Sequence, residues 1–258
     1  MALMSFPCRP GVVSVLRVVR CANVRNVRCR PGLCQVFSGR VSLRFMDIQI
    51  IPVTAYQQNC SLLCCKSTGR AAVVDPGGEP ERILEIVSEA GVELEKILVT
   101  HGHFDHVGAV GRMARELQLP IEGPHRDDRF LLDTLPQWCQ QFGFPPAEAF
   151  VPDRWLEQGD EVTFGEQTLE VLHCPGHTPG HIVLVHRQAA VAIVGDVIFQ
   201  GSIGRTDFPR GNHAQLLESI RTRIWPLGDD VTLLPGHGPT TTVGEERRHN
   251  PFLQAGYG

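Results

Sequence analysis

Thr100-His101-Gly102-His103-Phe104-Asp105-His106 places three imidazoles and a carboxylate, all able to bind a metal, within seven residues. His101 and His103 are two apart, so in extended backbone both side chains leave on the same face. Asp105 and His106 fall where a helical pattern begins and address a neighbouring point. A solvated polar loop does not need so many imidazoles, whereas neutral imidazole and carboxylate together suit zinc or iron. Residues 97–100 read as a short buried strand, so the cluster stands on a strand-to-helix turn.

Upstream of this turn, the apolar pattern predicts strands over 47–53, 61–66 and 71–75, the last closed by Pro76-Gly77-Gly78. A helix over 79–90 follows, with Ile83, Leu84, Ile86 and Val87 at helical spacing and Gly91 as its stop. Downstream, helix is predicted over 106–117, then an irregular, aromatic-rich middle over 125–155. Strands near 161–164, 169–173, 181–186 and 191–194 come next, then a helix over 212–225, a strand over 231–234 and a short helix over 244–249. Strands followed by helix, twice over, predict an α/β sandwich of two packed sheets with helices outside. The polar clusters stand just past strand ends, where a rigid scaffold can bring loops together around a ligand.

Composition is that of an ordinary globular chain, 42% apolar and 20% charged over 258 residues, enough for one sizeable core. The charge is uneven. Residues 1–45 contain eight Arg and no Lys, Asp or Glu, while residues 46–258 hold 28 acidic against 16 basic groups, a balance of −12. The first stretch reads as an Arg-rich extension, either a targeting peptide by composition or sequence preceding a true start at Met46, and is expected to be disordered. The folded domain is expected over 46–258. Its acidic balance argues against nucleic acid as a partner. No apolar run approaches the roughly 20 residues that span a bilayer, so no membrane association is expected. Nine Cys, an odd count with Cys64 and Cys65 adjacent, point to reduced thiols and a cytoplasmic setting.

His-x-His-x-Asp-His after a short buried strand resembles the metallo-β-lactamase superfamily. Asp75-Pro-Gly, Cys174-Pro-Gly-His177-Thr-Pro-Gly-His181, Val194-Gly-Asp196 and Leu234-Pro-Gly-His237-Gly-Pro extend the resemblance along the chain. It implies the αββα sandwich of that family. It also implies that His101, His103 and His177 hold one divalent metal, that Asp105, His106 and His237 hold a second, and that Asp196 bridges them. Zinc is the expected ion, and iron or manganese would accept the same donors. Asp105 is the expected catalytic residue, orienting the hydroxide that such a centre supplies at neutral pH. His181 is expected to be structural, and Thr100 and Asp75 to fix imidazole tautomers. His125, His173, His186, His213 and His249 have no ligand-like context and are read as surface or satisfied polar groups.

Asp196 stands where class B β-lactamases typically carry Cys, His103 where flavodiiron proteins carry Glu, and His237 where persulfide dioxygenases usually lose the histidine. Residues 51–60, 152–155, 201–211 and 248–252 are similar to the glyoxalase II group, the hydroxyacylglutathione hydrolases, in its short bacterial form. The implied reaction is hydrolysis of a glutathione thioester such as S-D-lactoylglutathione to D-lactate and glutathione, a step of methylglyoxal detoxification. Long-form enzymes grip glutathione partly through a C-terminal helical domain, which is not expected in this chain. Arg205 and Arg210 are therefore the candidate substrate-binding residues, since an Arg fork pairs well with carboxylates. An equal alternative is that Arg205 pairs with Asp207 and only orders its loop. Gly204-Arg-Thr-Asp-Phe208 is also similar to persulfide dioxygenases, which makes a glutathione persulfide dioxygenase the rival, beside other hydrolases of this fold. A structural zinc module fits poorly, because such sites are closed four-ligand cages. The residues predict no oligomeric state.

Overall fold

A computed structural model describes residues 39–254. Its first sheet runs β1 (Arg40–Ser42), β2 (Met46–Val53), β3 (Gln58–Cys65), β4 (Arg70–Val74), β5 (Glu93–Leu98) and β6 (Ile121–Glu122), in that order. The first four strands form an antiparallel meander. The β4–β5 and β5–β6 pairs are parallel, because α1 (Pro80–Ala90) and then α2 (Phe104–Val107) and α3 (Val110–Leu117) carry the chain back across the sheet. The second sheet contains β7 (Glu161–Phe164), β8 (Gln167–His173), β9 (Ile182–His186), β10 (Val191–Gly195), β13 (Thr232–Pro235) and β14 (Thr241–Thr242), ordered 14-13-10-9-8-7. A two-stranded ribbon, β11 (Ile198–Phe199) and β12 (Ser202–Ile203), follows β10.

Alternate residues of one strand enter different cores. Ala72 and Val74 of β4 face the second sheet and meet the layer formed by Leu169, Val171, Ile182 and Leu184. Ala71 and Val73 face outward, beneath Ile83 and Val87 of α1 and Val110 and Met113 of α3. On the second sheet, Val183, Val185, Ala192 and Val194 face outward against Leu216 and Leu217 of α6 (His213–Ser219) and the following Ile220. A strand covered on both faces has no polar side, which is why these segments read as continuous apolar runs. The result is the predicted four-layer α/β sandwich, helices outside two packed sheets.

Four local departures have physical causes. Most of the Arg-rich extension, residues 1–38, lies outside the described residues, but β1 falls inside the predicted 1–45 segment. It pairs with β2 because the Arg40 guanidinium and Lys66 ammonium converge on the Asp47 carboxylate, at 2.6 and 3.1 Å. The predicted helix over 106–117 is two helices. The Ala109 amide donates to Pro76 O at 3.0 Å, because the Gly77 backbone packs on the Asp105 carbonyl too closely to admit a side chain. The middle segment is more ordered than expected, with α4 (Arg129–Asp133) and α5 (Leu135–Gln141) burying Leu131, Leu132, Leu135 and Cys139. In the predicted 212–225 helix, the Asn212 side chain accepts from the Gln215 amide, but after Ser219 the turns widen over Ile220–Ile224. α7 (Val243–His249) closes the fold.

No helix among the described residues is long and apolar enough to cross a membrane. The five cysteines of the described region are buried, unpaired thiols.

Candidate metal centre

All seven predicted ligands lie just beyond the C-terminal ends of four strands. The 101–106 turn follows β5, His177 follows β8, Asp196 follows β10 and His237 follows β13. Donor atoms of His101, His103 and His177 lie within 4.8 Å of one another, as do those of Asp105, His106 and His237. Asp196 stands between the groups, its carboxylate oxygens 3.3 Å from His106 Nε2, 3.6 Å from His177 Nε2 and 3.7 Å from His237 Nε2.

Four imidazoles are held from behind, and each hold fixes a tautomer. Thr100 donates its hydroxyl to Asp75 at 2.6 Å and can then accept from His101 Nδ1 at 3.1 Å. His106 Nδ1 donates to Asp75 at 3.0 Å, His177 Nδ1 to Arg205 O at 2.7 Å, and His237 Nδ1 to Tyr56 O at 3.2 Å. In each case Nε2 is left as a lone pair facing the centre, which is how outer partners prepare a metal-binding histidine. Asp75 and Thr100 thus support the centre as expected.

The donor set fits two cations. Ligands about 2.0–2.1 Å from a tetrahedral ion stand roughly 3.3 Å from one another. Here His103 Nδ1 is 2.9 Å from His177 Nε2, His106 Nε2 is 3.4 Å from His237 Nε2, and His237 Nε2 is 3.3 Å from Asp105. His101 Nε2 and Asp196 Oδ1 are buried with no hydrogen-bond partner, so each has an unmet acceptor that an ion would satisfy. Burial and the adjacent imidazoles push His101 well below the usual histidine range and His103 down to about 3, keeping both neutral. Burial alone would raise Asp196, but His106, His237 and His177 outweigh it and hold the carboxyl far below its usual range. At His106 burial is opposed by Asp196, Asp75 and Asp105, which raise it and mark this point as one that favours positive charge.

His181 is not turned toward the donors. Its Nε2 accepts the Asp196 amide at 3.0 Å and its ring stacks on His101 at 4.6 Å, so it anchors the carboxylate and backs the imidazole. His125, Asp127 and His173 also approach one another. The two rings stack 4.2 Å apart with planes 20° from parallel, so their in-plane lone pairs do not meet at a common point, and Glu157 and Pro179 O already take one nitrogen of each. His186 is buried and bonded to Gln167, while His213 and His249 are exposed.

A cavity of about 410 Å³ opens over the centre, lined by Tyr56, Phe104, Trp138, Phe142, Phe199 and Phe208 besides the candidate ligands. Arg205 lines it too. Its guanidinium makes two 2.6 Å bonds to Asp207 and lies 4.1 Å from the Phe208 ring centre, so the loop-ordering pair expected as the alternative is formed. Arg210 does not line the cavity. Its backbone turns at φ 65 and its guanidinium lies over Phe130.

One residue that ties the centre together had no motif to announce it. Asp128, fully buried, accepts from the Gly102 amide at 2.9 Å, the Thr178 hydroxyl at 2.8 Å and the Gly180 amide at 2.6 Å. It joins the turn bearing His101 and His103 to the loop bearing His177. A second tie binds the hairpin of β2 and β3 to the last ligand. The Asn59 amide donates to Gly236 O at 2.7 Å, and its side chain donates to Pro235 O and Gly238 O at 3.0 and 2.8 Å.

A family model described as Metallo-beta-lactamase superfamily matches residues 53–242. Hydroxyacylglutathione hydrolase GloC of Haemophilus influenzae is 49% identical over 211 residues, covering 81% of this chain and 99% of that protein. Among solved structures, BLEG-1 B3 metallo-β-lactamase is similar with a TM-score of 0.75 at 37% identity, covering 81% of this chain and 100% of its own. TTHA1623 in a di-iron-bound form is similar with a TM-score of 0.73 at 36% identity, covering 79% and 99%. The sandwich, the strand-end placement of the donors and these likenesses agree: the chain belongs to the metallo-β-lactamase superfamily, as a metal-dependent hydrolase.

Proposed function

We propose that the protein is a two-metal thioester hydrolase of the glyoxalase II type, acting on glutathione thioesters such as S-D-lactoylglutathione in methylglyoxal detoxification. The observation that carries this reading is the second triad. Asp105, His106 and His237 converge as closely as the first three histidines, with His237 fixed by the Tyr56 carbonyl. His101, His103 and His177 would hold one ion, that triad the other, and Asp196 would lie between. Bound there, two divalent ions, zinc foremost with iron or manganese as alternatives, would supply hydroxide at neutral pH and polarise a carbonyl.

The chain's own part is positional. Thr100, Asp75 and the carbonyls of Arg205 and Tyr56 fix the imidazole tautomers and keep each Nε2 aimed at the centre. Asp105, at the cavity wall, would orient an attacking oxygen. A departing thiolate has a conjugate acid of pKa about 8.5 and leaves without prior protonation, so the cavity needs no dedicated general acid. Arg205 would exchange Asp207 for a substrate carboxylate, a change an exposed ion pair resists only weakly. The name of the Haemophilus influenzae relative supports the substrate class, and the buried unpaired thiols suit a cytoplasmic setting.

The test is one metal-quantified sample assayed for glutathione thioester hydrolysis, β-lactam hydrolysis and persulfide-dependent oxygen uptake. Two metals per chain and thioester turnover are expected. His101→Ala and Asp196→Ala should each lose about a thousandfold in kcat/KM, near 4 kcal/mol of transition-state stabilisation. Full metal content with no turnover of any glutathione thioester would overturn the substrate reading. Oxygen uptake with a single iron would favour the dioxygenase.

A further inference from the structure

The cavity over the metal centre is chemically lopsided. On the side of His103 and His177 stands Arg205, whose carbonyl holds His177 and whose guanidinium is paired with Asp207 over Phe208. Beside His237, whose Nδ1 is held by the Tyr56 carbonyl, a row of rings begins. Tyr56 meets Phe104 edge-on at 5.5 Å, Phe104 stacks on Phe142 at 5.1 Å, and Phe142 stacks against Trp138 at 5.8 Å. The charged groups lining the cavity are the candidate ligands, among them Asp105 and Asp196, and the Arg205 guanidinium; the row of rings adds none. Tyr56 and Phe142 are 45% and 40% exposed, large apolar surfaces left open to water beside a reactive centre. They also form the shared wall with a second cavity of about 550 Å³, so space continues beyond them.

A thioester held at the centre extends in two directions from its carbonyl. The thiol portion of a glutathione thioester carries carboxylates and amides and suits the Arg205 side. The acyl portion then faces the rings. A lactoyl group has a single methyl to offer that wall and leaves most of it wet, whereas an aromatic acyl group covers it and stacks. Resting on the thioester reading, we propose that Tyr56, Phe104, Trp138 and Phe142 form an acyl compartment, and that the preferred substrates are glutathione thioesters of aromatic hydroxyacids rather than of lactate.

The experiment compares S-D-mandeloylglutathione with S-D-lactoylglutathione on the metal-loaded wild type and on Phe142→Ala, Phe142→Leu, Trp138→Phe and Arg205→Gln, each first checked for two metals per chain. The expected mandeloyl-to-lactoyl ratio of kcat/KM is about tenfold or more, the scale on which apolar pockets discriminate. The ratio should fall toward one in Phe142→Ala, recover in part in Phe142→Leu, and stay constant in Arg205→Gln while both absolute values drop. A wild-type ratio of one or less, or a ratio that Phe142→Ala leaves in place, would overturn the compartment. Binding gives a readout apart from turnover. S-benzylglutathione should quench tryptophan fluorescence at about tenfold lower concentration than S-methylglutathione, with the signal reduced in Trp138→Phe. If no thioester is hydrolysed, the functional reading fails by itself, and equal binding of the two thioethers then refutes the compartment separately.

Discussion

Asp128 combines a charge, complete burial and three donors whose own positions matter to the centre. An amide in its place presents one acceptor oxygen, so Asp128→Asn turns its NH2 toward at least one buried donor, at about 1–3 kcal/mol. For a domain of this size that lowers Tm by roughly 2–12 °C. The variant should also release metal to a competing chelator faster, because the loops of His101, His103 and His177 lose their common anchor. Burial, opposed by the three bonds, pushes the Asp128 carboxyl up to about 6, against about 3.9 in an unfolded chain. Its contribution to stability is therefore fully present below about pH 3.9 and is lost as pH rises through about 6. The variant lacks this titration, so the Tm gap between wild type and Asp128→Asn should narrow between pH 4 and pH 7. A gap independent of pH would show that the carboxyl titrates normally. The seven candidate ligand positions were legible because each lies in a short motif at a strand end. Asp128 was not, since its partners are 26, 50 and 52 residues away in the chain and only the folded topology makes them neighbours.

Elements were legible where pattern and packing coincide. The strands around the centre are buried on both faces and announce themselves as apolar runs, and α1 carries its spacing and its Gly91 stop. What escaped was set by contacts between elements. The helical periodicity of 106–117 continues unbroken through Gly108, yet the backbone does not follow, because Pro76 O captures the Ala109 amide. The ribbon of β11 and β12 and the short β6 and β14 are two residues each, too brief for any periodicity to register. The same junction of β4 with α2 yields a prediction. A Cβ on Gly77 would stand 1.6 Å from the Asp105 carbonyl oxygen, backbone that cannot swing aside. Gly77→Ala should displace Asp105 and His106 together and destabilise the fold by about 3 kcal/mol or more. Metal content should fall toward one per chain while the His101, His103 and His177 site stays filled. Two metals retained in the variant would show that the turn accommodates a side chain.

Across the molecule, each candidate metal position draws donors from both sheets. His101 and His103 follow β5 of the first sheet while His177 follows β8 of the second, and Asp105 and His106 are completed by His237 after β13. The ions would therefore fasten the two halves of the sandwich along one edge. An ion present at a thousand times its Kd stabilises by about 4 kcal/mol, or roughly 8–16 °C in Tm at this size. Calorimetry with and without chelator should show a loss of that order, and an unchanged Tm would mean that the sheets hold without the ions. The tie between Asn59 and residues 235–238 adds a dimension of time. Chains are made from the N-terminus, and their parts begin to fold as they emerge. A ribosome delivers the first hairpin, the histidine-rich turn and almost all of the second sheet before the segment that locks onto Asn59 exists. The candidate cage for a second ion thus comes into being only after His237 has been made, and an ion that arrives sooner finds two of its three walls.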